Sequence, residues 1–137
     1  MSHYDLIGNI AIVKFPRETP RKTKIKFANK FLKEHKHITT ILEKSQKFSG
    51  RLRTQKTKFL SGVKTKETLH KENGCEFLLN VDTCYFSPRL STERKEISQL
   101  TKKKEKVLVM FGGVAPFAVV IAKNSKAEKV VSIELSR

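Results

Sequence analysis

Two glycines and one acid carry the clearest chemical signal in this chain. Gly112 and Gly113 follow the apolar run Val-Leu-Val-Met at 107–110, and Glu134 stands about twenty residues further on, near the end of a second apolar run. Glycine permits a sharp turn at the carboxyl end of a strand and lets a ligand approach the main chain closely. An acid at the end of the following strand can accept hydrogen bonds from ribose hydroxyls, and the spacing suits that task. The order strand, glycine loop, helix, strand, acid is that of the first βαβ unit of a nucleotide-type Rossmann fold. A βαβ unit with no such ligand has the same pattern.

The loop departs from the dinucleotide fingerprint. GGVAP supplies Gly112, Gly113 and Ala115 in place of three glycines, and Pro116 falls where a pyrophosphate would need close backbone access at a helix start. Loops with fewer glycines suit S-adenosylmethionine, which carries no phosphate. Other combinations are less telling. His35, His37, His70 and Cys75 match no zinc-ligand spacing. Glu93 and Arg94 read as a solvated helix face, and Tyr85 and Phe86 as core packing, when taken by themselves.

The elements that would position these residues follow from pattern and punctuation. Residues 7–15 (IGNIAIVKF) read as one buried strand. Thr19–Pro20 is a helix start, and Ile25, Ala28 and Leu32, flanked by Phe27 and Phe31, form an apolar stripe among lysines. Strands are expected at 38–43 and 52–60, with a turn at Gly50, and again at 76–82. Ser87–Pro88 repeats the cap-and-proline signal and opens a helix to about Leu100. KKKEK at 102–106 is a polar connector, followed by a strand at 107–110, a helix at 117–123 and a strand at 129–135. The expected fold class is α/β. A small α+β module with a basic face and a connecting helix spans 1–101, and the opening βαβ unit of a Rossmann-like domain spans 102–137.

Charge points to a polyanionic partner. Lys and Arg number 29 against 13 Asp and Glu, a net charge of +16 in 137 residues. Between Lys14 and Lys58 fifteen basic residues face three glutamates, so twelve of the sixteen surplus charges lie in the first half. Such a chain accumulates at phosphate backbones through counterion release, although a merely solvated charged surface would look the same. The most apolar stretch, 107–122, contains Gly112, Gly113 and Pro116 and is short for a membrane span. Two cysteines, Cys75 and Cys84, form no CxxC pair, and no leader is evident. A reduced, cytoplasmic protein is the expectation.

Three segments together resemble the archaeal and eukaryotic tRNA (guanine-N1)-methyltransferases that act at position thirty-seven. They are SGRLRTQKTKFLSG (49–62), TLHKENGCEFLLNVDTCYFSPRLSTER (68–94) and MFGGVAPF (110–117), of which YFSPRLSTER is the most specific. The resemblance implies a small RNA-positioning module ahead of a class I methyltransferase domain, with S-adenosylmethionine as methyl donor and tRNA as substrate. It implies that Tyr85 and Arg89 lie near the target guanine, with Arg94 beside them. Glu93 would accept the N1 proton. Arg53 would touch the substrate from the positioning module. Phe111, Gly112, Gly113 and Glu134 would surround the donor's adenosine, with Glu134 at the ribose.

Those residue types suit the reaction. Guanine N1 is a poor nucleophile until its proton leaves, so a carboxylate within hydrogen-bond reach is needed. An arginine can stabilise the charge developing on O6, and an aromatic ring can support a base splayed from its stack. A sister family, which transfers an aminocarboxypropyl group from the same donor in wybutosine synthesis, shares the fold; the intact SPRL at 87–90 resembles the methyltransferases more closely. Val109 stands where the family commonly has an acid, and Ala115 where a further glycine is usual. A class I domain has about seven strands, and only two follow the connector; the family's Asn-Pro-Pro segment is not found. The expectation is therefore a natural fragment, a split gene or a shortened chain, inactive alone, and completed by a second chain if it is one half of a split enzyme. A non-catalytic tRNA-binding module is the rival reading.

Overall fold

The computed structural model describes residues 3–45, 50 and 54–135. The chain opens with an antiparallel hairpin, β1 (His3–Ile7) and β2 (Ile10–Lys14). The single strand expected over 7–15 is thus corrected. Gly8 turns at φ +55°, and its N–H donates to His70 Nδ1 at 3.1 Å while the Asn9 N–H donates to Thr68 Oγ1 at 3.1 Å. A Cβ on Gly8 would collide with Thr68, so the turn needs a glycine both for its dihedrals and for its neighbour.

Pro20, extended at ψ 145°, precedes α1 (Arg21–Glu34), which leads to β3 (Thr40–Lys44), parallel to β2, and then β4 (Thr57–Gly62), antiparallel to β3. The sheet order is β1-β2-β3-β4. Strand β4 begins later than the 52–60 expected, and Leu52 lies outside the described residues. Alternation of side chains across the sheet splits the core in two. Ala11, Val13, Ile41 and Leu60 face α1 and pack on Ala28 and Phe31. Ile10, Ile12 and Leu42 face the other way, onto Cys75, Phe77 and Leu79.

Those last three belong to a second hairpin, β5 (Glu67–Glu72) and β6 (Cys75–Asn80), turned by Asn73 and Gly74 at φ 49° and 73°. Strand β5 has no counterpart in the sequence reading. A 3-10 turn (Pro88–Leu90) runs directly into α2 (Ser91–Leu100). The chain closes with β7 (Lys106–Met110), α3 (Pro116–Asn124) and β8 (Lys129–Ile133), with β7 and β8 parallel and Met110 opposite Ile133. Helix α3 packs on α2 and sends Val120 into the cluster that holds Phe77 and Phe86. The βαβ unit is thereby tied to the remainder through its helix, while Leu108, Met110, Val131 and Ile133 of its strands stay exposed.

Candidate active site

A cleft of about 390 Å³ opens on the face of the four-stranded sheet opposite α1. Its floor is Ile7, Ile12 and Phe86, and its rim carries Tyr85 and Arg89 from the YFSPRL segment facing Lys14 and Lys44 of β2 and β3. Arg89 donates from Nε to Asp5 Oδ1 at 2.8 Å, with Nη2 2.7 Å from the same oxygen. Asp5 sits on β1, 84 residues away in sequence. Burial pulls the Lys44 ammonium below the ordinary lysine range; Asp5 opposes the shift, while Lys14 and Arg89 add to it. One acid among four basic groups (His3, Lys14, Lys44 and Arg89) leaves a cleft suited to an anionic or electron-rich ligand.

The glycine loop lies beside this cleft. Gly112 donates its N–H to the Ile133 carbonyl at 3.0 Å, and Ala115 donates to the Gly112 carbonyl at 2.8 Å. Gly113, at φ +58°, donates to Glu134 Oε2 at 2.7 Å. The acid's other oxygen, Oε1, accepts from the Leu135 N–H at 2.7 Å. The two glycines are required for different reasons: a Cβ on Gly112 would strike Ser132, whereas Gly113 is called for by its left-handed torsion, its face lying in ordinary contact with the Tyr85 carbonyl oxygen. Phe111, 90% exposed at φ +56°, projects from the strand end, and Ala115 also turns left-handed, at φ +59°, just before Pro116. The structure therefore brings the loop, Glu134 and Tyr85 to one seam.

A buried ionic chain holds the seam. Arg94 of α2 is 1% exposed and forms a two-pronged pair with Glu72, through Nε to Oε1 and through Nη2 to Oε2 at 2.7 Å. Its Nη2 also donates to the Ser87 carbonyl at 3.0 Å, and its guanidinium lies over Phe86 and Phe117 at 5.1 and 5.6 Å. Glu72 Oε2 lies 3.2 Å from His70 Nε2. Because His70 Nδ1 accepts from Gly8, the proton sits on Nε2 and points at the carboxylate. Arg94, expected at the substrate, thus faces inward. Its partner Glu72 comes from the strand that the sequence reading missed, and the pair fixes the segment bearing Tyr85 and Arg89.

Glu93, one position earlier, occupies the exposed first turn of α2 and does not line the cleft. Arg53 lies outside the described residues. Asp5, Lys14, Lys44 and Glu72 escaped the sequence reading, and His70 entered it only as a rejected zinc ligand, because no short-range pattern joins these residues. The dipeptide Asn73–Gly74, a strong hairpin signal, is the one cue that would have revealed β5 and hence Glu72. Among the described residues no group of three His, Cys, Asp or Glu side chains is placed to hold a metal ion, and no helix is long and apolar enough to cross a membrane.

A parallel strand–glycine loop–helix–strand–acid unit, seated through α2 on a small basic module, defines an α/β protein of the Rossmann-like methyltransferase type. The chain belongs to the TRM5/TYW2 methyltransferase domain family, whose match covers residues 68–137. It is 49% identical over 133 residues to the tRNA (guanine(37)-N(1))/4-demethylwyosine(37)-methyltransferase Taw22 of Nanoarchaeum equitans, covering 97% of this chain and 43% of that protein. Among solved structures it is similar to aTrm5 in complex with tRNALeu, with a TM-score of 0.88, 26% identity, and coverage of 98% of this chain and 39% of that one. It is also similar to TYW2 of Methanocaldococcus jannaschii in complex with AdoMet, with a TM-score of 0.61, 27% identity, and coverage of 96% and 44%. The chain spans about two fifths of the length of these relatives.

Proposed function

We propose that this chain supplies the RNA-gripping module and the donor-loop end of an enzyme that moves a methyl group from S-adenosylmethionine to N1 of guanine 37 in tRNA. The observation that carries the reading is the seam itself, where Gly113 lies against the Tyr85 carbonyl at the edge of a basic cleft. A methyl donor held on the loop would there adjoin a base held at the cleft. The similarity to a tRNA-bound relative and to an AdoMet-bound one supports both halves. The division into a module over 1–101 and a methyltransferase portion from 102, with α2 as the connecting helix, is part of the proposal, as is a cytoplasmic location. So is the pairing of further strands, from the same protein or a second chain, beside the exposed β7–β8 pair.

The residues present fit the donor. The loop closes around backbone amides and an acid, Pro116 leaves the helix start without an N–H for phosphate, and Phe111 offers an exposed ring to an adenine. Glu134, already drawn to the Gly113 amide, stands where ribose hydroxyls would bind. S-adenosylmethionine supplies an electrophilic methyl when bound. The protein's own task is to ready the base. Tyr85 supports the splayed guanine, and Arg89, held by Asp5, stabilises charge developing on O6. Glu93, in the exposed first turn of α2 at the edge of this segment rather than in the cleft lining, is the carboxylate assigned to take the N1 proton. Arg53 would add a substrate contact from the module. Arg94 acts through Ser87 and Phe86 as a positioning residue.

Calorimetric titration with S-adenosylmethionine, with and without an unmodified tRNA carrying guanine 37, tests this reading. Saturable donor binding that is lost in Gly112→Val is expected. Salt-sensitive tRNA binding with no donor binding would instead describe an RNA-binding module without catalytic function.

A further inference from the structure

We infer that the outer face of α1 is a second RNA contact, a lysine rail for a phosphate backbone, on the side of the sheet away from the cleft. The inference rests on the tRNA reading above. Helix α1 spends its apolar side on the core, burying Ala28 and Phe31 with Phe27 and Leu32 packed beside them. Its outer side presents Lys22, Lys26, Lys30 and Lys33 around Ile25 and Asn29. Successive lysines four residues apart rise about 6 Å along the axis, on the order of the separation of neighbouring phosphates, and the row extends over roughly 16 Å.

Folding does not call for this arrangement. Like charges at i,i+4 oppose the helix by about 0.2–0.5 kcal/mol per pair. Arg21 and Lys22 stand in the first turn, which holds no acid and where the helix dipole disfavours cations. Lys24, on the inner flank, is neutralised by Glu43 at 2.6 Å. Of the outer four, only Lys30 has an acid nearby, the exposed Glu34 at 3.7 Å; among the described residues Lys22, Lys26 and Lys33 have none. A polyanion relieves the repulsion that the fold leaves standing. A lipid surface fits less well, since the helix has no apolar face left to insert and Ile25 is half-buried among the lysines.

The cleft and the rail lie on opposite faces of one sheet, because Ile12 and Lys14 alternate with Ala11 and Val13 along β2. A folded RNA engaging both must pass around the sheet edge. Phosphate contacts carry no sequence information, so the rail adds grip without adding base choice.

The test is the full chain bearing Lys22→Gln, Lys26→Gln and Lys33→Gln, since glutamine keeps helix propensity and circular dichroism verifies the helix. Fluorescence anisotropy follows binding to an unmodified tRNA transcript and to an unrelated duplex RNA across a salt series. The slope of log affinity against log salt is expected to fall by about two to three for both RNAs, with affinity at moderate salt weakened about tenfold or more. Unchanged slope and affinity, with wild-type chain still binding tRNA, would overturn the rail and leave the tRNA reading intact. Failure of the wild-type chain to bind any RNA would remove both. Loss of binding to phosphatidylglycerol–phosphatidylcholine vesicles, with RNA affinity unchanged, would reassign the face to lipid and also overturn the proposal.

Discussion

The four-stranded module and the β7–α3–β8 unit are built from equally apolar strands, yet they are packed very differently. In β2 and β3, Ile10, Ala11, Val13 and Ile41 are wholly buried, with α1 on one face and the β5–β6 hairpin on the other. In β7 and β8 no residue is buried, and Leu108, Met110 and Ile133 are each more than half exposed. What secures the second unit is its helix: Val120 and Ile121 are buried, and α3 packs on α2. A parallel pair covered on one face only leaves the other open. The glycine loop is therefore held in place from the helix side, through α3, α2 and the Arg94–Glu72 pair, more than through its own strands.

The strongest way to break that account is at the pair. Arg94→Ala leaves Glu72 buried without its cation and releases the Ser87 carbonyl, and a loss of about 3–5 kcal/mol is expected in denaturant unfolding. Arg94→Lys keeps the charge but not the two-pronged geometry, and should recover only part of that. A smaller effect separates helix from strands. Ile121→Ala should lower stability by about 2–4 kcal/mol, whereas Leu108→Ala, at an open face, should change it by less than about 0.5 kcal/mol. Equal losses would mean that the strands are as firmly packed as the helix.

The smallest effect sharpens the contrast on the module side. Because Lys44's pKa is lowered in the folded state, its ammonium is disfavoured there; the penalty holds below the folded pKa and lifts as pH rises towards the ordinary lysine value. Stability should therefore gain slightly in the alkaline window just below that value, and Lys44→Met should flatten the gain. Thermal melts at several pH values across that window would show it.

Legibility in the sequence divides along the same line. The βαβ unit was readable because its signals are local: an apolar run, two glycines, a proline, a second run and an acid, all within about thirty residues of one another. The starts of α1 and α2 were readable from Thr19–Pro20 and Ser87–Pro88 for the same reason. The hairpins were not. Gly8–Asn9 is hidden between isoleucines, which makes β1 and β2 look continuous. Strand β5 inverts the usual pattern, turning Thr68 and Glu72 inward while Leu69 and its cross-strand partner Leu78 face solvent. Alternation read as apolar-inside therefore finds no strand there. Arg94 is misread for a related reason: a charged residue on a polar helix reads as solvent-facing until its buried partner, 22 residues earlier, is known. The cleft itself joins Asp5 to Arg89 across 84 residues, and only the folded chain displays that pairing.

The central claim is that the glycine loop and the YFSPRL segment form one site, as proposed above for the methyl donor and the base. Nitrogen-15 NMR of the chain titrated with S-adenosylmethionine addresses it directly. The account predicts saturable shifts in the amides of Gly112, Gly113 and Leu135, accompanied at the same ligand concentration by Tyr85, Phe86 and Arg89. Loop shifts with a silent Tyr85–Arg89 segment, or no saturable shift at all, would contradict it.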